Sequence, residues 1–300
     1  MKTIIALMMA LSVNAFAGKA DVPWTAAEQK RLSSIFPTLI NGAVVDRTEY
    51  QEIIWIGNCT ATMVGPRVVA TAAHCTGSSV SFSVGSDKYT AKCTKSTHYR
   101  GNDTADYSFC YTDREVTSIK YASINIDPTY ISAGDWILQT GFGCTKWGTS
   151  LDGKLRVGKA KVISVPSGTN NDTTTGGEGS TVLCSGDSGG PAYGLDGDTR
   201  ELLISVNSRS NTVSRSFLST LATSQGLQYI QAFAAQFSAE ICGMHNSVAN
   251  CRGAVPQEPV SFAVESDTSE GVVTVNPGKI NAEKLKTDYI RNGFTISEVK

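Results

Sequence analysis

Net charge is almost absent from this chain. Its 26 basic residues against 27 acidic ones leave −1 at neutral pH. Nucleic acids and anionic membranes select for a basic excess, so neither is expected as a partner. Charged residues are scarce altogether, at 18%. Long apolar runs are missing too. The longest mostly apolar stretch is Ile4 to Val13, well short of the roughly 20 residues that span a bilayer. Histidine occurs only at His74, His98 and His245, which leaves three positions for an imidazole base. No internal repeat and no low-complexity tract interrupts the chain.

What is present begins with an export signal. Lys2 supplies the positive start, Ile4 to Val13 the apolar region, and Ala15-Phe16-Ala17 the small-x-small cleavage pattern before Gly18. Residues 1–17 are therefore expected to be a signal peptide and the mature protein to be secreted or periplasmic. No Cys follows the apolar region, so no lipid or membrane anchor is expected. Residues 18–38, with a helix-like patch from Ala26 to Phe36 that ends at Pro37, are expected to be a propeptide. Eight cysteines in an exported chain point to disulfides, although eight allow about 105 pairings.

From Leu39 onward, short β-branched runs recur between turn residues: Ile53 to Ile56, Val68 to Ala72, Val80 to Val84, Trp136 to Gln139, Val157 to Val165 and Leu202 to Val206. Such spacing predicts an all-β sandwich or barrel pair. The polar, glycine-rich stretch Gly168 to Gly179 is expected to be a mobile surface loop. Ser219 to Phe237 has apolar residues at helical spacing. After about Ala239 the texture changes again. Cys242 and Cys251 are close enough for a local loop, Val260 to Val264 and Val272 to Val275 read as strands, and Ala282 to Arg291 as a short helix.

The chemistry concentrates in Cys184-Ser185-Gly186-Asp187-Ser188-Gly189-Gly190-Pro191. A free hydroxyl is hardly ionised at neutral pH, so Ser188 needs a base, and the base needs a partner to orient it. The glycines allow a tight turn in which the N–H groups of Gly186 and Ser188 converge on one point, as an oxyanion hole requires. His74 ends the apolar run from Val68 and precedes Cys75, whereas His98 and His245 stand in polar surroundings. A metal site using Cys59, His74 and Cys75 is the competing use of this histidine. It lacks a four-ligand spacing, and no metal or other cofactor is expected.

Thr71-Ala72-Ala73-His74-Cys75 and Gly186-Asp187-Ser188-Gly189-Gly190-Pro191, in this order, resemble the two signature segments of the trypsin/chymotrypsin family of serine proteases. The resemblance covers Leu39 to Gln236. It implies two six-stranded antiparallel β-barrels with the site between them, a C-terminal helix, and a protease domain over 39–238. Residues 239–300 remain as an extension without an assigned role. It also implies a monomeric secreted endopeptidase that acts on a protein or peptide substrate. The alternative is a catalytically inactive homologue that serves as a binding module.

The resemblance assigns His74 as base and Ser188 as nucleophile. Asp106, opening Asp106-Tyr107-Ser108-Phe109, is assigned as the orienting acid, with Asp103 as its rival. Cys59–Cys75 matches the disulfide across the histidine loop, and Gly141-Phe142-Gly143 resembles the family's Gly-Trp-Gly turn. From there Cys144–Cys184, Cys93–Cys110 and Cys242–Cys251 follow as the remaining pairs. Leu39-Ile40-Asn41-Gly42 resembles the N-terminus made when family zymogens are cut, so a cut between Thr38 and Leu39 would free an amine for Asp187. Val182 falls at the pocket floor beside Leu183. Ser208, Arg209 and Ser210 line the cleft, with Arg209 in place of a common Trp. A floor without an acid implies small apolar or medium-sized side chains rather than Lys or Arg. A competing register lets Arg215 reach in and favour acidic ones.

Overall fold

Short β-branched runs fold as antiparallel strands that bury one or both faces. In a computed structural model, residues 39–40, 42–101, 104–196, 199–245, 248–252, 260–266, 269–275 and 295–298 are described. The expected signal peptide, propeptide and helix at 282–291 lie outside them. In chain order the first strands are β1 (Ala43–Val44), β2 (Ile53–Trp55), β3 (Thr60–Gly65), β4 (Val68–Thr71), β5 (Ser79–Val84), β6 (Asp87–Lys95) and β7 (Ser108–Thr112). Next come β8 (Tyr121–Ala122), β9 (Trp136–Gly141), β10 (Arg156–Ser164), β11 (Asp172–Gly176), β12 (Pro191–Asp196), β13 (Thr199–Ser210) and β14 (Arg215–Thr220).

The first barrel has the order β2-β3-β4-β7-β6-β5, and the second β1-β10-β11-β14-β13-β12-β9, in which β10 also pairs with β9 and closes six strands into a ring. All of these pairings are antiparallel. The protein is thus built on two six-stranded antiparallel β-barrels. β3 is buried along its whole length, whereas β10 alternates and turns Gly158, Ala160 and Val162 inward, as a strand with one wet face does.

Two expectations need correction. Gly168 to Gly179 is not merely a surface loop, because β11 runs through it and pairs with both β10 and β14. Its threonines are β-branched and fit a strand, and their hydroxyls find partners inside the barrel: Thr173 with Thr220 at 2.8 Å, Thr175 with the Gln139 amide at 3.0 Å. The helix starts later than Ser219. Ser216 to Thr220 stay in β14, and α1 runs Ser224–Phe237. Thr223 caps it by accepting from Gly226 N at 3.0 Å, satisfying one of the amides that a helix start leaves open.

Residues just beyond the helix remain part of the packed core. Ala239, Ile241 and Cys242 are buried, Cys242 N–H donates to Val64 O at 2.8 Å, and β15 (Cys251–Arg252) pairs in parallel with β8. A separate small sheet follows, ordered β17-β16-β18, from β16 (Val260–Ser266), β17 (Ser269–Val275) and β18 (Thr295–Glu298).

One buried charge cluster ties these parts together. Glu52, fully buried, meets Arg200 Nη1 at 2.8 Å and Arg252 Nε at 3.2 Å. It also accepts from the Tyr193 hydroxyl at 3.1 Å. Removing one partner of a buried pair costs about 3–5 kcal/mol. Because Arg252 is 26% exposed, water offsets part of that. Glu52→Gln is expected to lower stability by about 2–3 kcal/mol, read as a fall in the urea midpoint. An unchanged midpoint would show that the two guanidinium groups are already solvated.

Candidate active site

His74 is fixed from three sides. It leaves the end of β4 in a single 3₁₀ turn, Ala73–Cys75, and the Cys59–Cys75 disulfide anchors the next residue. Its backbone N–H donates to Asp106 Oδ1 at 2.9 Å, and its ring Nδ1 lies 2.6 Å from Asp106 Oδ2. Asp106 follows Ala105, a buried non-glycine residue at φ +64°. That left-handed conformation costs about 1 kcal/mol, and the surrounding contacts hold it. Asp106 Oδ2 also accepts from the Ser208 hydroxyl at 2.7 Å. Burial pushes the Asp106 carboxyl up, but hydrogen bonds from His74 and Ser208, with the His74 charge, outweigh it and hold it below its ordinary value. Asp103, the rival acid, lies outside the described residues.

The Ser188 bend is held by both barrels. Cys144–Cys184 ties its start to the turn after β9. Thr60, at the start of β3, donates its hydroxyl to Gly186 O at 2.7 Å and its N–H to Ser188 O at 2.8 Å. Gly186 and Gly189 have φ +98° and +81°. A Cβ at Gly189 would sit 2.0 Å from Thr71 Oγ1 and 2.2 Å from Thr60 O, so this position is closed to any side chain. Among the described residues no backbone acceptor is bonded by the amides of Gly186 and Ser188. The Ser188 hydroxyl donates to Ser208 O at 3.3 Å rather than to His74.

Asp187 is fully buried beneath the bend. Its two carboxylate oxygens accept from Gly143 N at 2.8 Å and Cys184 N at 2.9 Å. Burial pushes its pKa up to about 7, only partly offset by these two backbone donors and by the more distant Arg156 charge. Among the described residues no cation forms an ion pair with it. Leu39 is fully buried among Ile137, Leu183, Ile204 and their neighbours, and Ile40 bridges to Val182.

Just before the Ser188 bend in the chain, Val182 and Leu183 are both 3% exposed. Ser210 Oγ donates to Leu183 O at 2.6 Å, and Leu183 N–H donates to Ser216 Oγ at 3.0 Å. Two serines thus reach the Leu183 backbone from neighbouring strands. Arg215 is exposed at the start of β14. Arg209, one-third exposed, turns to Asp172, with Nη2 2.5 Å from Oδ2. Ser216, Asp172 and Thr60 were missed by sequence reasoning. Only the β-branched run Thr173-Thr174-Thr175 marked the strand that carries Asp172.

Cys93–Cys110 and Cys242–Cys251 complete four disulfides and leave no free thiol. The Cys59 and Cys75 sulfurs lie close to the His74 ring but are bonded to each other. They offer no thiolate, and the residues do not fit a metal site. His98 lies in the segment before Asp106, and His245 Nδ1 accepts from Ile241 N at 2.9 Å. No helix among the described residues is long and apolar enough to cross a membrane. A buried carboxylate behind an imidazole, with a hydroxyl and two unengaged amides close by, can perform acyl transfer.

The family model described as Trypsin matches residues 43–224. No curated protein matches the sequence. Among solved structures, human heparin binding protein is similar at 19% identity and a TM-score of 0.53, covering 64% of this chain and 94% of that one. An atomic-resolution structure of HBP is similar at 19% identity and a TM-score of 0.55, covering 68% and 99%. Likeness at this identity is one of fold.

Proposed function

Since the chain belongs to the trypsin family, we propose that it is an exported serine endopeptidase in which His74, Asp106 and Ser188 act as base, orienting acid and nucleophile. The observation that carries this reading is the 2.6 Å contact between His74 Nδ1 and the buried Asp106 carboxylate. It fixes the tautomer that leaves Nε2 to take a proton. Rotation of the Ser188 hydroxyl away from Ser208 O toward Nε2 starts the reaction. Ser188 attacks the peptide carbonyl, the oxyanion forms against the amides of Gly186 and Ser188, and His74 protonates the leaving amine. Water then repeats the sequence on the acyl-enzyme. The four disulfides suit an oxidising compartment. Export through residues 1–17 and removal of residues 18–38 belong to the same proposal.

Cleavage between Thr38 and Leu39 would release an amine on a residue that packs with Leu183, and among the described residues the buried Asp187 carboxylate has no paired cation. Pairing with Asp187 would then order the bend. Sequencing the N-terminus of the active protein tests this: Leu39 is expected, and Gly18 in a fully active form would overturn it.

Val182 at the floor, with Ser210 and Ser216 bonded to the Leu183 backbone, supports a shallow pocket without an acid. On a peptide library, cleavage is expected after small apolar or medium-sized residues, with kcat/KM at least about tenfold above that for Lys or Arg, since one unpaired buried charge costs more than 1.4 kcal/mol. A preference for Lys or Arg would defeat it, and a preference for acids would point instead to Arg215.

One observation favours a second reading, an inactive homologue that binds rather than cuts: the Ser188 hydroxyl bonds Ser208 O and not His74. Fluorophosphonate labelling separates the two. The mature protein should be labelled and Ser188→Ala should not, whereas an unlabelled mature protein supports the binding module. A polyanion of the kind named for the structural neighbours is a poor ligand for a chain of net charge −1.

A further inference from the structure

Behind the His74–Asp106 pair lies a second ion pair, and the two are joined in a closed ring of contacts. Asp106 N–H donates to Ser219 Oγ at 3.0 Å, and the Ser219 hydroxyl faces Asp172 Oδ1 at 3.4 Å. Asp172 Oδ2 accepts from Arg209 Nη2 at 2.5 Å. Arg209 Nη1 lies 3.4 Å from Ser208 Oγ, which donates to Asp106 Oδ2 at 2.7 Å. Strand register places the residues of the second pair. Asp172 stands opposite Ser219 between β11 and β14, and Arg209 opposite Phe217 between β13 and β14. The guanidinium also lies over the Phe217 ring, 5.0 Å from its centroid. The Asp172 side chain is 3% exposed and that of Arg209 33%, so this pair is shielded from water mainly on its acidic side.

Resting on the protease reading, we infer that Asp172 and Arg209 are positioning residues that balance the charge behind Asp106 and so set the pH at which His74 becomes a working base. Two opposite charges at this place nearly cancel as seen from His74. Removing either one leaves a net charge in a low-dielectric setting, where it acts over several ångströms. Burial raises the Asp172 carboxyl and Arg209 opposes that rise, while Asp106 and Asp172 feel each other directly. Among the described residues the other titratable or charged groups near Asp106 include Tyr99, Lys95, Arg100 and Tyr107, whose phenol is also raised by burial. The Tyr99 phenol is raised by burial and by Asp106 and stays neutral across the relevant range. Lys95 lies over the Tyr99 ring, and Arg100 is turned to Thr97 O.

The test is a charge cycle on the pair, read two ways. Asp172→Asn keeps the shape but leaves Arg209 unbalanced, which disfavours the imidazolium. The acid limb of kcat/KM should move to lower pH by about half a unit or more. Arg209→Gln leaves a buried carboxylate and should move the limb to higher pH, and the double variant should return it toward the parent. The same shifts should appear in the NMR titration of the His74 ring in a Ser188→Ala background, its signal assigned by loss in His74→Gln. This second reading needs no turnover, so it stands even if the parent proves inactive, which fluorophosphonate labelling reports separately. Should Asp172→Asn not fold, Arg209→Gln carries the test alone, since its side chain is partly exposed. If the singles lose kcat while the His74 midpoint stays within about 0.2 units, the pair is only structural and the inference is overturned.

Discussion

Ser188→Ala is expected to lower kcat by about a million-fold while KM changes little. On the proposed mechanism the loss is this large because the Ser188 hydroxyl forms the acyl bond, and neither Ser208 nor Ser210 can replace it. Ser208 gives its hydroxyl to Asp106, and Ser210 gives its own to Leu183 O. His74→Ala should lose about as much, and combining the two should add almost nothing, since base and nucleophile serve one step. Asp106→Asn should cost less, about 10⁴-fold, because it leaves the imidazole in place and disturbs only its tautomer. The remaining rate would come from the Gly186 and Ser188 amides and from substrate binding. Initial rates on a peptide amide, normalised to folded protein, measure all four variants. A Ser188→Ala variant within tenfold of the parent would mean that the hydrolysis belongs to a contaminant or to other chemistry.

How far this could be read from the sequence differs by residue, for physical reasons. A nucleophile on a tight bend needs glycines beside it, as at Gly186 and Gly189, where φ is positive. Those constraints are local, so they leave a mark in a short stretch. The strands were legible where burial demands β-branched apolar residues, as in β3 and β4. They were hidden where a strand is polar and satisfied from inside, as in β11, whose threonines bond Gln139 and Thr220. Asp172 was invisible for the same reason. Its meaning comes from Ser219 and Arg209, 47 and 37 positions away in sequence, and no local pattern encodes that ring. How the chain packs just after residue 238 was likewise not legible. Ala239 to Cys242 look like the start of a tail, yet Gly65 is held against the Glu240 carbonyl so closely that a Cβ there would lie 2.1 Å from it. Sequence texture records composition, whereas packing against β3 is a long-range fact.

Lowering the pH from 7.5 to 4.5 is expected to stabilise the intact, uncut chain through Asp187. Its folded pKa of about 7 lies above its ordinary 3.8. A group of this sign contributes stability fully below the ordinary value, and that stability is lost as pH rises through the folded one. Between pH 4.5 and 7.5 about two and a third units of that interval are traversed, and at about 1.4 kcal/mol per unit the swing is about 3 kcal/mol. Asp106 and Asp152 have the opposite sign, being held below 3.8. Their contributions fall away only as pH drops beneath that value, whereas Asp172, also raised by burial, shares the sign of Asp187, so Asp187 is separated from it by substitution. The comparison is between Ser188→Ala, which prevents self-digestion, and Ser188→Ala with Asp187→Asn, by urea unfolding at both pH values. The amide of Asn turns one N–H toward a backbone donor and costs some stability at every pH. The readout is therefore the difference in slope, which should be about 3 kcal/mol steeper in the first protein than in the second, where only the smaller Asp172 contribution remains. After cleavage before Leu39 that difference should vanish, because a paired amine keeps Asp187 ionised throughout. An equal slope with and without the Asp187 carboxyl would remove both the buried-acid account and the switch built on it.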